Sequence, residues 1–356
     1  MLPASRLPLA VVMVAAISTA PAALPRLPFT VTSLRAAVVA RRPAVFNRTP
    51  AEAWVARRTW LTADHHFESV DYLADVVSGA VNWNWDAGGA RCGATAADCS
   101  TQGCAACHGD AAHQRPLRNL SSAAFFRRLR EEGQPLLYYS PIDREFASLA
   151  GEVDFAWALQ TLREAELPRL RAAAGEAAAA AALDDSLVYL WLGGNGIATQ
   201  CHYDLSHNFY VQLRGTKSFV LAPPTAALAL RLHPRSHPGN QKSTIDWEGD
   251  YAAAAAAAAA GDSLAEYMSS RGVPGVQEVE LGPGDMLYLP PTTFHHVRSM
   301  PPPPPRLPQQ QPQDRGDSDD FSAAVNLWTF GAEFLAYEQL LSSPLPCAHT
   351  NISSCR

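Results

Sequence analysis

The tripeptide His202-Tyr203-Asp204 holds the residues of this chain best suited to chemistry. On a strand, side chains two apart share a face, so the His202 imidazole and the Asp204 carboxylate can grip one ion while Tyr203 faces away. A third nitrogen ligand from another strand would complete a two-histidine, one-carboxylate facial triad. Such a triad leaves open positions on iron for a bidentate cosubstrate and dioxygen. The chain offers His295 and His296, which point to opposite faces of one strand, and His295 is taken as the ligand. Other histidines carry less. Asp64-His65-His66 lies in a polar, helix-like stretch and reads as a solvated face. His207, His233 and His237 sit in turn-rich or Pro-rich surroundings, with no carboxylate two residues away.

Ligands drawn from two strands need a sheet to hold them. From Leu187 the apolar period is two: LVYLWL (Leu187 to Leu192), NFYVQL (Asn208 to Leu213) and KSFVLA (Lys217 to Ala222), separated by the turn sequences GGNG and RGT. VQEVEL (Val276 to Leu281), a Gly-Pro-Gly-Asp turn and MLYLP continue the pattern, and FSAAVNLWTF (Phe321 to Phe330) reads as the last strand. Many short strands with tight turns predict a mainly β fold, a sandwich or barrel, with helices from the N-terminal half packed around it. One helix is expected behind a Ser121 or Ser122 cap, with Phe125, Phe126 and Leu129 on one face. A second runs from about Phe155 to Ala182, and its Ala-rich tail after Pro168 reads as a surface helix. The polyalanine insertion (251–261) and the Pro/Gln insertion (301–320) read as excursions between strands.

Three blocks stand in order: TQCHYDLSHNFYVQLRGTKSFVLAPP (Thr199 to Pro224), GPGDMLYLPPTTFHHV (Gly282 to Val297) and SAAVNLW (Ser322 to Trp328). Through them the stretch from Leu187 to Phe330 resembles the JmjC and cupin-like 2-oxoglutarate oxygenases. Within that group it is most like the protein hydroxylases related to the asparaginyl hydroxylase of hypoxia signalling. The resemblance implies a double-stranded β-helix, the jelly-roll barrel of cupins, with Fe(II) on His202, Asp204 and His295. It implies that Lys217 binds the distal carboxylate of 2-oxoglutarate, helped by Thr199 and an upstream tyrosine, for which Tyr138 is preferred to Tyr139. A buried ammonium is economical only where it meets an anion. Asn208 and Asn326 resemble the polar residues lining that pocket, and Trp328 is expected to pack beside it. Phe294 stands where the family usually has Trp. The implied activity uses O2 and 2-oxoglutarate to hydroxylate a side chain of a protein or peptide, forming succinate and CO2. N-methyl-lysine demethylation, or binding without turnover, are the alternatives.

The bulk properties agree with a globular chain of 356 residues, 47% apolar and 17% charged. A formal charge of −6 and a pI near 6.0 give no general attraction for phosphate backbones, so nucleic acid is not an expected partner. No Asp or Glu precedes Glu52, and Arg6 leads into an apolar run from Leu7 to Ala20. Residues 1–24 thus read as a secretory signal, placing the protein in the secretory lumen or outside the cell, or as an organelle transit peptide. Pro8 and the modest length disfavour a mature membrane span. One domain is expected over 36–340, with a tail at 341–356. The Gly-, Ala- and Cys-rich segment 88–113 carries Cys92, Cys99, Cys104 and Cys107. These, with Cys347 and Cys355, suit disulfides in an oxidising compartment, whereas the quartet alone suits zinc in a reducing one. Cys104-Ala-Ala-Cys107-His108 also matches a haem-attachment pattern, without a haem pocket to support it. Cys201 is expected to pack outward. Asn119 and Asn351 are candidate glycosylation acceptors; Pro50 spoils the sequon at Asn47.

Overall fold

A computed structural model of the protein describes residues 22–56, 125, 138–139, 151–233, 240–257, 263–300 and 321–335. The Cys-rich segment with Cys92, Cys99, Cys104 and Cys107, the sequons at Asn119 and Asn351, the Pro/Gln insertion and the tail lie outside them. So do residues 1–21 and, apart from a buried, helical Phe125, the helix expected after Ser121.

In chain order the elements are β1 (Ala22–Ala23), β2 (Arg26–Pro28), α1 (Val31–Ala40), β3 (Ala44–Asn47), β4 (Tyr138–Tyr139), α2 (Ala156–Ala174) and α3 (Glu176–Asp184). Then come β5 (Leu187–Gly194), β6 (Ala198–Tyr203), β7 (Ser206–Arg214), β8 (Thr216–Ala222), α4 (Ala227–Leu230), α5 (Trp247–Ala256), α6 (Leu264–Ser270), β9 (Gln277–Leu281), β10 (Met286–Leu289), β11 (Phe294–Met300) and β12 (Phe321–Phe330). Local chemistry sets several ends. The Thr30 side chain accepts from the Ser33 N–H to cap α1, Ser263 accepts from Glu266 N–H to cap α6, and Arg41 closes α1 in the left-handed region at φ 52°.

The strands form a five-stranded sheet, β1-β9-β8-β11-β6, and a seven-stranded sheet, β2-β3-β10-β7-β12-β5-β4. From β5 to β8, and again from β9 to β12, each successive strand changes sheet. Between the sheets, Tyr210, Leu287, Leu289 and Ala324 of one meet Phe219, Leu221, Val279 and Leu281 of the other. On the outside of the seven-stranded sheet, Phe209, Val211, Val325 and Leu327 pack under Leu34, Leu162 and Leu183 of α1, α2 and α3. On the outside of the five-stranded sheet, Val220, Ala222 and Phe294 pack under Trp247, Tyr267 and Met268 of α5 and α6. Strands covered on both faces explain why β7 is buried along its whole length.

The described residues bear on four expectations. Among the described residues no ladder joins the two sheets, so they form two facing sheets with helices on the outer faces, and closure into a barrel is not found. Pro168 lies inside α2; beyond it Leu170, Ala179 and Leu183 are buried, while most of the Ala-rich tail is exposed, as expected of a surface helix. Ala252 to Ala256 form the end of α5 and are mostly exposed, as expected of an excursion between strands, with Ala254 packed against the Trp247 cluster. The fold also takes in residues ahead of the expected boundaries of 24 and 36. Ala22 and Ala23 pair with Gln277 and Glu278, and Leu24 is buried between the sheets. No helix among the described residues is long and apolar enough to cross a membrane.

Candidate metal centre

Two sheet-changing corners build one end of the sandwich. β6 passes to β7 through Asp204 and Leu205, β10 passes to β11 through residues 290–293, and the Thr292 N–H donates to the Asp204 carbonyl at 2.7 Å. His202 and His295 are register partners on β6 and β11, their rings 4.2 Å apart. Asp204 Oδ2 lies 3.5 Å from His295 Nε2, and Oδ1 lies 4.0 Å from His202 Nε2. One ligand atom from each of the three falls within 4.8 Å of the others.

The second ring nitrogens decide how these groups present themselves. His202 Nδ1 donates to the Gln200 carbonyl at 2.7 Å and His295 Nδ1 to the Thr293 carbonyl at 3.0 Å. A carbonyl only accepts, so Nδ1 carries a proton in each ring and both Nε2 atoms turn to the shared point. Asp204 Oδ2 is buried there and accepts no hydrogen bond within the protein. Burial pushes the Asp204 carboxyl up, partly opposed by His295. Burial, then the neighbouring His295, pushes His202 well down. Two imidazole Nε2 atoms beside a buried carboxylate oxygen form a donor set that fits a divalent cation. His296, one residue on, faces outward: Nε2 meets Glu248 Oε1 at 2.9 Å beneath α5, and Arg298 reaches Glu248 at 3.2 Å.

The other expected residues divide. Lys217 is buried on β8 and alternates with Phe219 and Leu221, both in the inter-sheet cluster, so it too faces inward. Its Nζ stands 5.5 Å from the centre of the Tyr210 ring, and burial lowers its pKa to about 7. Lys217 pairs with Ser299 and Leu221 with His295, so the lysine sits four residues along the strand from the histidine, about 13 Å at the usual rise. Strict alternation from His202 would turn Thr199 outward, but a bulge intervenes. His202 opposes His295 and Thr199 opposes Val297, three residues of β6 against two of β11, which returns Thr199 to the inward face. Asn208 and Asn326 are buried on β7 and β12 and bonded to each other at 2.9 Å. Tyr138 pairs with Gly193 and Tyr139 with Leu192. Trp328 is inward, its ring 4.8 Å from that of Tyr189. Cys201 and Phe294 face outward, as expected of Cys201; burial pushes the Cys201 thiol up to about 12.

Residues 31–330 match the family model of the cupin-like domain. The chain belongs to that family. Among curated proteins it is similar to "Lysine-specific demethylase JMJ31" of Arabidopsis thaliana, 25% identical over 144 residues, 40% of this chain and 21% of the relative. It is 30% identical over 117 residues to "JmjC domain-containing protein D" of Dictyostelium discoideum, 33% of this chain and 23% of the relative. It is 32% identical over 114 residues to "Jumonji C domain-containing protein 5" of Drosophila melanogaster, 31% of this chain and 24% of the relative. The chain thus matches less than a quarter of each of these relatives' lengths.

Within this cupin-like domain, sequence reasoning passed over three features. His207 is fully buried on the helix-covered face of β7, between Tyr288 Oη at 2.9 Å and Arg41 Nη1 at 2.8 Å, with Glu166 at 3.5 Å. Its carboxylate partners come from α2 and from beyond β12, so a search two residues either side could not find them. Lys242 bridges His202 from outside β6, where no strand was expected. Tyr189 and Trp191, read only as strand formers, line the inward face with Trp328.

Proposed function

We propose that the protein is an Fe(II)- and 2-oxoglutarate-dependent dioxygenase that hydroxylates a side chain of a protein or peptide, with His202, Asp204 and His295 as its metal ligands. The observation that carries this is the convergence of two tethered Nε2 atoms and an undonated Asp204 oxygen, with the Lys217 ammonium on the same inner face. Bound iron would activate dioxygen, coupling decarboxylation of 2-oxoglutarate to succinate with transfer of one oxygen atom to a substrate C–H. Lys217 would hold the distal carboxylate, aided by Thr199 and Tyr138, and Asn208 and Asn326 would line the same wall. The gap along the strand between Lys217 and His295 suits a ligand acidic at both ends. Apolar packing by Phe219, Leu221 and Leu289 keeps bulk water from that interior.

N-methyl-lysine removal is the second reading, and it fits the comparisons equally: one relative is named a lysine-specific demethylase, and the inward rings of Tyr189, Trp191 and Trp328 could face a methylated ammonium. Protein supplied with iron, 2-oxoglutarate and ascorbate is expected to form succinate, and His202→Ala to form none. Succinate at background level with candidate peptides present would favour a cupin-type binding protein instead. Succinate persisting in His202→Ala would place the metal elsewhere. Mass spectrometry of a modified peptide separates the two enzymatic readings, as gain of oxygen or loss of a methyl group with formaldehyde.

A further inference from the structure

Three inward side chains on neighbouring strands form a directed chain of hydrogen bonds. Trp191 Nε1 on β5 donates to Asn326 Oδ1 on β12 at 2.7 Å, and Asn326 Nδ2 donates to Asn208 Oδ1 on β7 at 2.9 Å. The direction follows from chemistry. An indole nitrogen only donates, so the Asn326 atom facing it is the oxygen. Its Nδ2 must then face β7, and the Asn208 atom it meets must be an acceptor. With Asn208 and Asn326 both buried, a reversed amide would leave donors facing donors, which is costly in an interior. Trp191 therefore sets the polarity of both amides, and the Asn208 group left over is Nδ2, a donor.

The Asn208 end of this chain lies at the metal end of the sandwich. Asn208 follows Asp204 by four residues and is the register partner of Leu289, the last residue of β10 before the corner leading to His295. The Thr292 N–H on the Asp204 carbonyl ties those corners together.

We propose that Trp191 is a positioning residue of this site: through Asn326 it holds Asn208 with Nδ2 available as a donor, matched to an acceptor oxygen of the bound 2-oxo acid. The opposite polarity would present Oδ1 and repel a carboxylate. The ligand's identity rests on the oxygenase reading; the amide polarity does not.

The test uses full-length protein with 15N-labelled asparagine. Trp191→Phe keeps a ring and removes the donor. In the metal-free protein it is expected to shift or double the side-chain amide signals of Asn208 and Asn326. In the Mn(II)-loaded protein it is expected to raise the dissociation constant for 2-oxoglutarate about tenfold, the scale of one lost hydrogen bond, while leaving Mn(II) affinity within twofold, as mere loss of structure would not. Asn326→Asp keeps the acceptor for Trp191 but has no proton for Asn208. It should weaken 2-oxoglutarate similarly, and it decides the matter if Trp191→Phe fails to fold. Unchanged amide signals, or unchanged 2-oxoglutarate affinity in the folded variants, would overturn the proposal. Wild-type protein that binds Mn(II) but no 2-oxoglutarate would instead defeat the oxygenase reading and overturn the ligand assignment with it, leaving the amide signals to decide the polarity alone.

Discussion

Lys217 shows what burying a lysine costs a folded protein. With its folded pKa lowered to about 7 by burial, the unfolded chain holds the proton more tightly than the native protein does. The penalty is therefore full below pH 7, shrinks as pH rises, and vanishes above the ordinary lysine value. Every tenfold loss of proton affinity on folding costs about 1.4 kcal/mol. Lys217→Met is expected to raise the melting temperature of the ligand-free protein at pH 6.5, with the gain closing toward pH 10. The same change should weaken 2-oxoglutarate about 100-fold, as expected when one partner of a buried charge pair is removed. Melting curves across pH and calorimetric titration check the two halves. A variant less stable than wild type at pH 6.5 would show that the contacts of the ammonium outweigh the cost of burying it.

Among the elements, the corners carry the most constraint, because a chain that changes sheets must turn sharply between two packed strands. Gly215 joins β7 to β8 at φ +68°, and a Cβ there would stand 3.2 Å from Phe321 O and Ser322 Cα, backbone atoms that cannot yield. Gly272 has φ +85° with nothing within 4 Å. Gly272→Ala should cost about 1 kcal/mol for conformation alone. Gly215→Ala should cost about 2 kcal/mol or more, since crowding against backbone adds to that. Urea unfolding of the two variants measures the difference, and equal costs would mean that the corner relaxes. The RGT turn was legible in the sequence, where Gly between two period-two runs marks a reversal. That the reversal crosses from one sheet to the other was not, because that depends on which distant strands β7 and β8 choose as neighbours.

Across the whole molecule, one buried network joins parts far apart in the chain. Arg41, at the end of α1, donates to Glu166 of α2 at 2.7 Å and to Glu333, past β12, at 3.0 Å; it also reaches His207 of β7, which bonds Tyr288 of β10. Burial pushes the Glu166 carboxyl up, but His207 and Arg41 outweigh it and hold the group below its ordinary value. Its contribution is thus present above the ordinary carboxylate range and is lost as pH falls through the lowered value. Glu166→Gln is expected to cost about 3 kcal/mol near neutral pH, as for a broken buried pair, and less in acid. Denaturant titration at pH 7 and pH 4 checks both. A cost that does not depend on pH would assign the loss to packing and not to charge.

What the sequence determined by itself is local. The period of two marked the strands from Leu187 to Phe330, and the H-x-D spacing put His202 and Asp204 together. The order of the three blocks pointed to the cupin-like family and singled out Lys217. The rest waited on pairings between residues distant in the chain. The register of β11 against β6 brought His295 and not His296 to Asp204, and a bulge invisible to periodicity returned Thr199 to the inward face. Three strands had to lie side by side before Trp191 could orient two amides. Residues from 41 to 333 had to converge before His207 became part of a charged core. Alternation along a strand is fixed by the geometry of each peptide unit and can be read from a short stretch of sequence. Register and facing are fixed only when whole sheets pack, because burial of both strand faces is what selects one pairing among many.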